Sequence, residues 1–179
     1  MLRIVHYPHP ALRYPSVPVA RIDAAFRGQV REMFDRMYEA QGIGLAANQV
    51  AIPRRFFVLN LTADPSQADH ELVFINPTIV KRHGQVEEEE GCLSLPALYG
   101  KVKRARKVRV RAYNLDGEEV EYDADDLFSR AIQHETDHLD GKLFIDALDD
   151  AARKAANEKI RALRGRPQGR AGIGRTRRR

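Results

Sequence analysis

Cysteine is almost missing from this chain: among 179 residues there is only Cys92. A single thiol cannot close an internal disulfide, and a reducing cytoplasm is the setting this implies. No run of about 18 apolar residues exists, so no membrane-spanning helix is expected. Pro8 interrupts the opening Met-Leu-Arg-Ile-Val-His-Tyr before an apolar segment can form, so no signal peptide is expected either. No internal repeat is visible. Acid is scarce at the C-terminal end. Residues 153–179 carry eleven Lys or Arg and one acid, Glu158. The net charge of +5 and the pI near 9.5 therefore describe this end of the chain, and the body before it is mildly acidic. With 43% apolar residues the body can bury a core. One folded domain is expected over 1–164, followed by a basic, disordered tail over 165–179 that is Gly-, Arg- and Pro-rich with almost nothing apolar.

Along the body, Pro8, Pro10, Pro15 and Pro18 give an extended, turning lead-in. Asp23 can cap a helix over 24–40, whose Phe26, Val30, Met33, Phe34 and Met37 recur at helical spacing and should face the core. Gly42 and Gly44 should end that helix and open a loop. Residues 55–61 and 72–80 read as strands, with Pro77 marking an edge or a bend in the second. Residues 102–113 alternate basic and apolar side chains. They turn at Leu115-Asp116-Gly117 and alternate back over 118–122, a hairpin with a charged outer face. Asp125 or Asp126 can cap a helix over 127–139, with Leu127, Ala131 and Ile132 as its apolar positions and Asp140-Gly141 as its stop. A last helix is expected over 148–163.

Three segments carry chemistry. Gln133-His134-Glu135-Thr136-Asp137-His138 places two histidines at i and i+4, on one face of a helix, where both imidazoles can point at one divalent metal. Glu135 between them could take the proton of a water activated there. Glu90-Gly91-Cys92-Leu93-Ser94-Leu95-Pro96 offers a thiolate as third ligand; Gly91 lets backbone approach closely, and Pro96 should limit strand pairing after the site. The plain alternative is a small buried hydrophobe at Cys92. Gly42-Ile43-Gly44-Leu45-Ala46-Ala47-Asn48-Gln49 gives a bare backbone against which an extended chain could lie, closed by Gln49, whose amide can donate to an oxyanion. A helix end followed by tight packing would use the same residues.

In this order, the three segments resemble the three signature motifs of the peptide deformylase family, and the resemblance runs over about residues 1–150. It implies an α+β fold, with mixed or antiparallel strands packed around a central metal-binding helix that carries His-Glu-x-x-His, and a C-terminal helix. It implies Cys92, His134 and His138 as metal ligands and Glu135 as general acid/base. Gln49 and the backbone N–H of Leu93 would support the oxyanion, and Ile43, Gly44 and Gly91 would meet the substrate backbone. The implied cofactor is one divalent ion, Fe²⁺ first, with Zn²⁺, Ni²⁺ or Co²⁺ also compatible with the donor set. The implied reaction removes the formyl group from the N-terminal formyl-methionine of nascent polypeptides and releases formate, in the cytoplasm and without a membrane.

Beyond the motifs, Arg104 matches a family arginine that pairs with the glutamate at Glu90; an ordinary surface ion pair is the alternative. Tyr99 falls where some members carry an arginine near the substrate. Arg130 falls where many members have an apolar residue lining the methionine pocket; it either enters that pocket or points to solvent, and solvent is the expectation. The basic C-terminal segment fits a contact with ribosomal RNA, or simply a soluble end. Two rival functions are another metal hydrolase, such as an aminopeptidase, and a ribosome-associated RNA-binding protein without turnover. The Cys92 and Gln49 segments argue against the first, and the full set of catalytic side chains gives no reason for the second.

Overall fold

The computed structural model describes residues 1–164; the expected basic tail lies outside the described residues. The first helix, α1 (Ala24–Glu39), begins where Asp23 accepts a hydrogen bond from the Phe26 N–H at 2.9 Å, satisfying a backbone donor that the first helical turn leaves free. Its Phe26, Val30, Met33, Phe34 and Met37 are all buried. Each such side chain contributes about 1.5–3 kcal/mol.

Seven strands follow one another: β1 (Gly44–Ala46), β2 (Phe56–Leu59), β3 (Leu72–His83), β4 (Val86–Cys92), β5 (Leu95–Arg104), β6 (Lys107–Tyr113) and β7 (Glu119–Asp125). Five of them form an antiparallel sheet in the order β1-β2-β3-β6-β7, and β4 and β5 form a separate two-stranded ribbon. The helix α2 (Asp126–Leu139) and the C-terminal helix α3 (Asp150–Arg164) complete the chain. Strand β2 explains the layering. Phe56 and Val58 pack with α1 in one core, while Phe57 and Leu59 pack with Ala131, Ile132 and Leu139 of α2 in another. Side chains alternate across a strand, so α1 and α2 cover opposite faces, and β2 is apolar at every position because neither face meets water. A third core joins Leu95, Leu98 and Val102 of the ribbon to Ala156 and Ile160 of α3.

Several expectations change. Gly44–Ala46 is a strand paired with Phe57–Leu59, where a loop was expected. Pro77 marks a bend, not an edge: β3 lies between β2 and β6, and its register slips between Ile75 and Thr78. At the bend Asn76 has φ 51°, and its side chain bonds the Val19 N–H and carbonyl at 2.8 and 3.0 Å. Residues 102–113 are not one strand. The chain leaves the ribbon at Arg104 and enters the large sheet at Lys107, and α2 holds the corner between them. Gln133 accepts from the Ala105 N–H at 3.0 Å and donates to its carbonyl at 2.8 Å, and Ser129 donates to the same carbonyl at 2.9 Å.

The ribbon was not expected before residue 102. Its acidic stretch 87–90 has no apolar alternation, but its charges are matched across the strands, Glu87 opposite Lys103 and Glu89 opposite Lys101. Pro96 sits second in β5 and does not stop it from pairing, since a proline near the start of a strand sacrifices only one ladder bond. Leu127 is not a core residue of α2; it is 42% exposed.

Candidate metal centre and its cleft

The helix α2 starts where Asp125 accepts from the Asp126 N–H at 2.9 Å, and it stops at Asp140, followed by Gly141 at φ 72°. His134 and His138 fall one turn apart on it, with ring centroids 4.9 Å apart at 75°. Cys92 arrives from the end of β4, where the ribbon's register slips between Gly91 and Cys92 and turns the chain inward. The ligand atoms of Cys92, His134 and His138 all lie within 4.8 Å of one another, and the Cys92 Sγ is 3.2 Å from His138 Nε2. The other histidine is oriented from behind, because His134 Nδ1 lies 3.0 Å from the Glu90 carboxylate. With Nδ1 committed to Glu90, Nε2 is the ring nitrogen left to act as a metal ligand. One sulfur and two imidazole nitrogens, converging and partly or fully buried, are a donor set suited to a divalent transition metal, with room for a fourth, exchangeable position. The residues present therefore fit such an ion.

Glu90 and Arg104 are each 7% exposed and form a two-pronged pair at 2.8 and 3.0 Å, so this is a buried pair and not a surface one. Arg104 also donates to Asp137 at 2.5 Å. Burial alone would raise the Glu90 carboxyl, but hydrogen bonds from His134 and Arg104 outweigh it and bring it down to about 2. Burial likewise works against the Arg104 charge, yet Glu90 and Asp137 hold the guanidinium above its usual value. The two imidazoles are driven apart. Burial lowers both, and the charges of His134 and Arg104 push His138 further below the usual value, while hydrogen bonds to Cys92 and Glu90 lift His134 above it.

Glu135 points from the same helix toward β1. Burial pushes its carboxyl up to about 7, and the nearby Glu90 charge works in the same direction. Its Oε2 is buried with no hydrogen-bond partner among the described residues. Gly44 makes room for the carboxylate, since a Cβ there would come within 2.5 Å of Glu135 Oε1. Gln49, buried, is locked at both ends. Its oxygen accepts from the Ala46 N–H at 2.8 Å, and its amide nitrogen lies 3.2 Å from Ser94 Oγ and 3.6 Å from Cys92 Sγ. That fixes which end of the amide faces the thiol.

Gln49, Cys92, His134 and Glu135 line a cleft of about 650 Å³. Ile43, Gly44, Gly91 and Leu93 all line it. Gly91 is needed for close approach, because a Cβ would come within 2.7 Å of the Tyr99 ring; Leu93 packs over Gly42 in the same way. Tyr99 is 63% exposed at the cleft. Arg130 lines the cleft as well, so the expectation of a purely solvent-facing arginine is corrected. It sits one turn before His134 on the same helical face. Of the site residues read from the sequence, Ile43, Gly44, Gln49, Gly91, Cys92, Leu93, His134 and Glu135 line one cleft, while His138, 1% exposed, meets Cys92 and His134 without lining it. Reading the sequence missed Asp137, Ser94 and Asn48, whose amide bonds the His138 carbonyl at 2.5 Å. Asp137 and Asn48 stand inside the motifs, but nothing in their spacing announces a partner 33 or 90 residues away.

The polypeptide deformylase family matches residues 1–154. A peptide deformylase of Acidobacterium capsulatum is 49% identical over 160 residues, which cover 89% of this chain and 94% of that protein. The crystal structure of a peptide deformylase from Legionella pneumophila superposes with a TM-score of 0.85 at 38% identity, covering 93% of this chain and 99% of that one. One from Synechococcus elongatus, in complex with actinonin, superposes with a TM-score of 0.86 at 39% identity over 93% of this chain and 90% of that one. The match spans the ribbon, the sheet and α2 together, which are the parts that bring Cys92, His134 and His138 into contact. On that basis the chain belongs to the polypeptide deformylase family.

Proposed function

We propose that this protein hydrolyses the formyl group from the N-terminal formyl-methionine of new polypeptides, releasing formate, with Cys92, His134 and His138 holding a divalent ion that is Fe²⁺ in the cell. The observation that carries this is the convergence of those three donors beside a cleft that the Glu135 carboxylate and the Gln49 amide also line. An ion bound there supplies Lewis acidity toward water and the formyl oxygen.

The chain's own groups do the rest. Ile43, Gly44 and Gly91 offer backbone along which the peptide can lie. Glu135, whose free oxygen is buried, takes a proton from the attacking water. As the water oxygen bonds to the formyl carbon, the Gln49 amide and the Leu93 backbone N–H stabilise the charge that grows on the formyl oxygen. Glu135 then returns the proton to the departing amine as the C–N bond breaks, leaving formate and a free methionine amine. A formyl carbon bears only hydrogen, so a narrow inner end can accept it and exclude bulkier acyl groups.

Within the described residues no helix is long and apolar enough to cross a membrane. We place the enzyme in the cytoplasm, where a lone thiol ligand stays reduced, and assign the basic 153–179 segment to contact with ribosomal RNA. Loss of ribosome binding at low salt on deletion of 165–179 would support that contact, and unchanged binding would sink it.

The test of the activity is formate release from a formyl-methionyl peptide, using protein purified without oxygen and loaded with Fe²⁺, Ni²⁺ or Zn²⁺. Release that disappears in Glu135→Gln, with metal retained, supports the reading. No release from folded protein with any of these metals overturns it.

A further inference from the structure

We infer that Arg130 is a specificity-determining residue whose guanidinium binds the carboxylate of an Asp or Glu one or two residues after the formyl-methionine; the inference rests on the deformylase reading above. On α2, Leu127, Arg130, Ala131, His134 and Glu135 all line the cleft. Exposure falls along this face, from Leu127 at 42% through a half-buried Arg130 to Glu135 and His138, both buried. The helix therefore runs from the mouth of the cleft to the reacting end, and Arg130 stands on the way in.

Among the described residues, Arg130 is the only Lys or Arg that lines the cleft. Its neighbour in charge, Arg104, is committed to Glu90 and Asp137. Arg130 has no carboxylate within ion-pair distance among the described residues, although Arg104, Arg106, Arg109 and Arg111 nearby in the sequence all do. The exposed Glu89 of β4 also lines the cleft, but it stands opposite Lys101 in the ribbon and lies outside ion-pair reach of Arg130. A planar guanidinium left free on the wall of a peptide cleft matches a carboxylate, which it can take with two parallel hydrogen bonds.

Reach selects the position. Four residues of helix separate Arg130 from His134, a rise of about 6 Å. An extended peptide advances about 3.3 Å per residue, so for a peptide running from the metal centre along α2 that spacing brings side chains one or two residues after the methionine within reach of Arg130. Such a contact is made alike in the bound substrate and in the transition state, so it acts on KM and leaves kcat nearly unchanged.

The experiment compares kcat and KM for isosteric pairs, formyl-Met-Asp-Ala against formyl-Met-Asn-Ala and formyl-Met-Ala-Asp against formyl-Met-Ala-Asn, with formyl-Met-Ala-Ala as reference, on the metal-loaded enzyme. We expect the Asp peptide of one pair to be favoured about fivefold in kcat/KM, through KM, at low salt. The preference should shrink at about 0.5 M NaCl, vanish in Arg130→Met, and give way to a preference for Lys in Arg130→Glu. Should Arg130→Met fold poorly, Arg130→Gln carries the same comparison. Equal rates for Asp and Asn in both pairs, or a preference that survives in the neutral variant, overturn the inference while leaving deformylation standing. No formate from any peptide, the reference included, overturns the deformylase reading and this inference with it.

Discussion

Gly44 faces Glu135 so closely that a methyl group at its Cα would lie 2.5 Å from Oε1 and 3.0 Å from the carboxyl carbon. The strand β1 therefore shapes the position of the Glu135 carboxylate, and in the proposed mechanism it serves both the proton-transfer group and the peptide. In Gly44→Ala the backbone is held by its pairing with Leu59 and Leu45 by its burial, so Glu135 is the part that gives. A small misplacement of a proton-transfer group costs about 100-fold in rate. The expected result is kcat lower by about that factor, with bound metal and thermal stability close to the parent. Measuring metal content beside kcat checks this, and a loss confined to KM would show that Gly44 serves substrate binding alone.

The chain from Asp137 through Arg104 and Glu90 to His134 holds one of the three proposed ligands from behind. Removing the outer partner of a metal-bound histidine typically weakens metal affinity about 10- to 100-fold. Glu90→Gln keeps the shape and loses the charge, so it should fall in that range. Arg104→Met is expected to be worse, because it leaves Glu90 buried with part of its compensation gone, at a cost of about 3–5 kcal/mol. Competition with a chelator reads the first effect and chemical denaturation the second. Unchanged metal affinity in Glu90→Gln would mean that α2 alone orients His134.

The contrast between what was and was not legible in the sequence follows from range. Asp23, the buried face of α1 and the i, i+4 histidines are local signals, and they appear where the spacing puts them. The Gly44–Ala46 strand and the early half of the ribbon were not legible, because their stability comes from partners elsewhere: Phe57–Leu59 for the one, Lys101 and Lys103 for the other. The split of 102–113 depends on Gln133 and Ser129, on a helix more than twenty residues further on. Leu127 shows the limit of periodicity. Its helical position is apolar, yet it faces a cleft, and no pattern within one helix distinguishes a core from a binding surface.

Removing the metal should loosen the protein as well as silence it. Cys92, His134 and His138 come from the ribbon and from α2, so an ion shared by them adds a further tie between two parts of the fold that also meet through the Arg104–Asp137 and Glu90–His134 contacts. A ligand bound only by the native state stabilises it by RT ln(1 + [L]/Kd), about 2.7 kcal/mol at a hundredfold excess over Kd. Chelation should lower Tm by several degrees and restore it on adding back Ni²⁺ or Zn²⁺. In Cys92→Ala the chelator should have a much smaller effect. An equal drop in parent and variant would place the stabilising ion elsewhere.

Acid should expose a second tie, between Arg13 near the N-terminus and Asp146 before α3, which meet in two hydrogen bonds at 2.5 and 3.1 Å. Burial alone would raise the Asp146 carboxyl, but Arg13 and the Leu143 N–H hold it below its usual 3.8. A depressed carboxylate contributes stability above its unfolded pKa and loses it as pH falls through the folded value. Since both side chains are more than a third exposed, solvent screening limits the pair to about 0.5–1 kcal/mol. Asp146→Asn should therefore be less stable than the parent by about that much at pH 7, and the gap should close well below pH 3.8, where the parent's carboxyl is also neutral. Urea unfolding of both proteins across this range checks it, and a gap that stays constant down to the acid limit would assign the loss to packing rather than to charge.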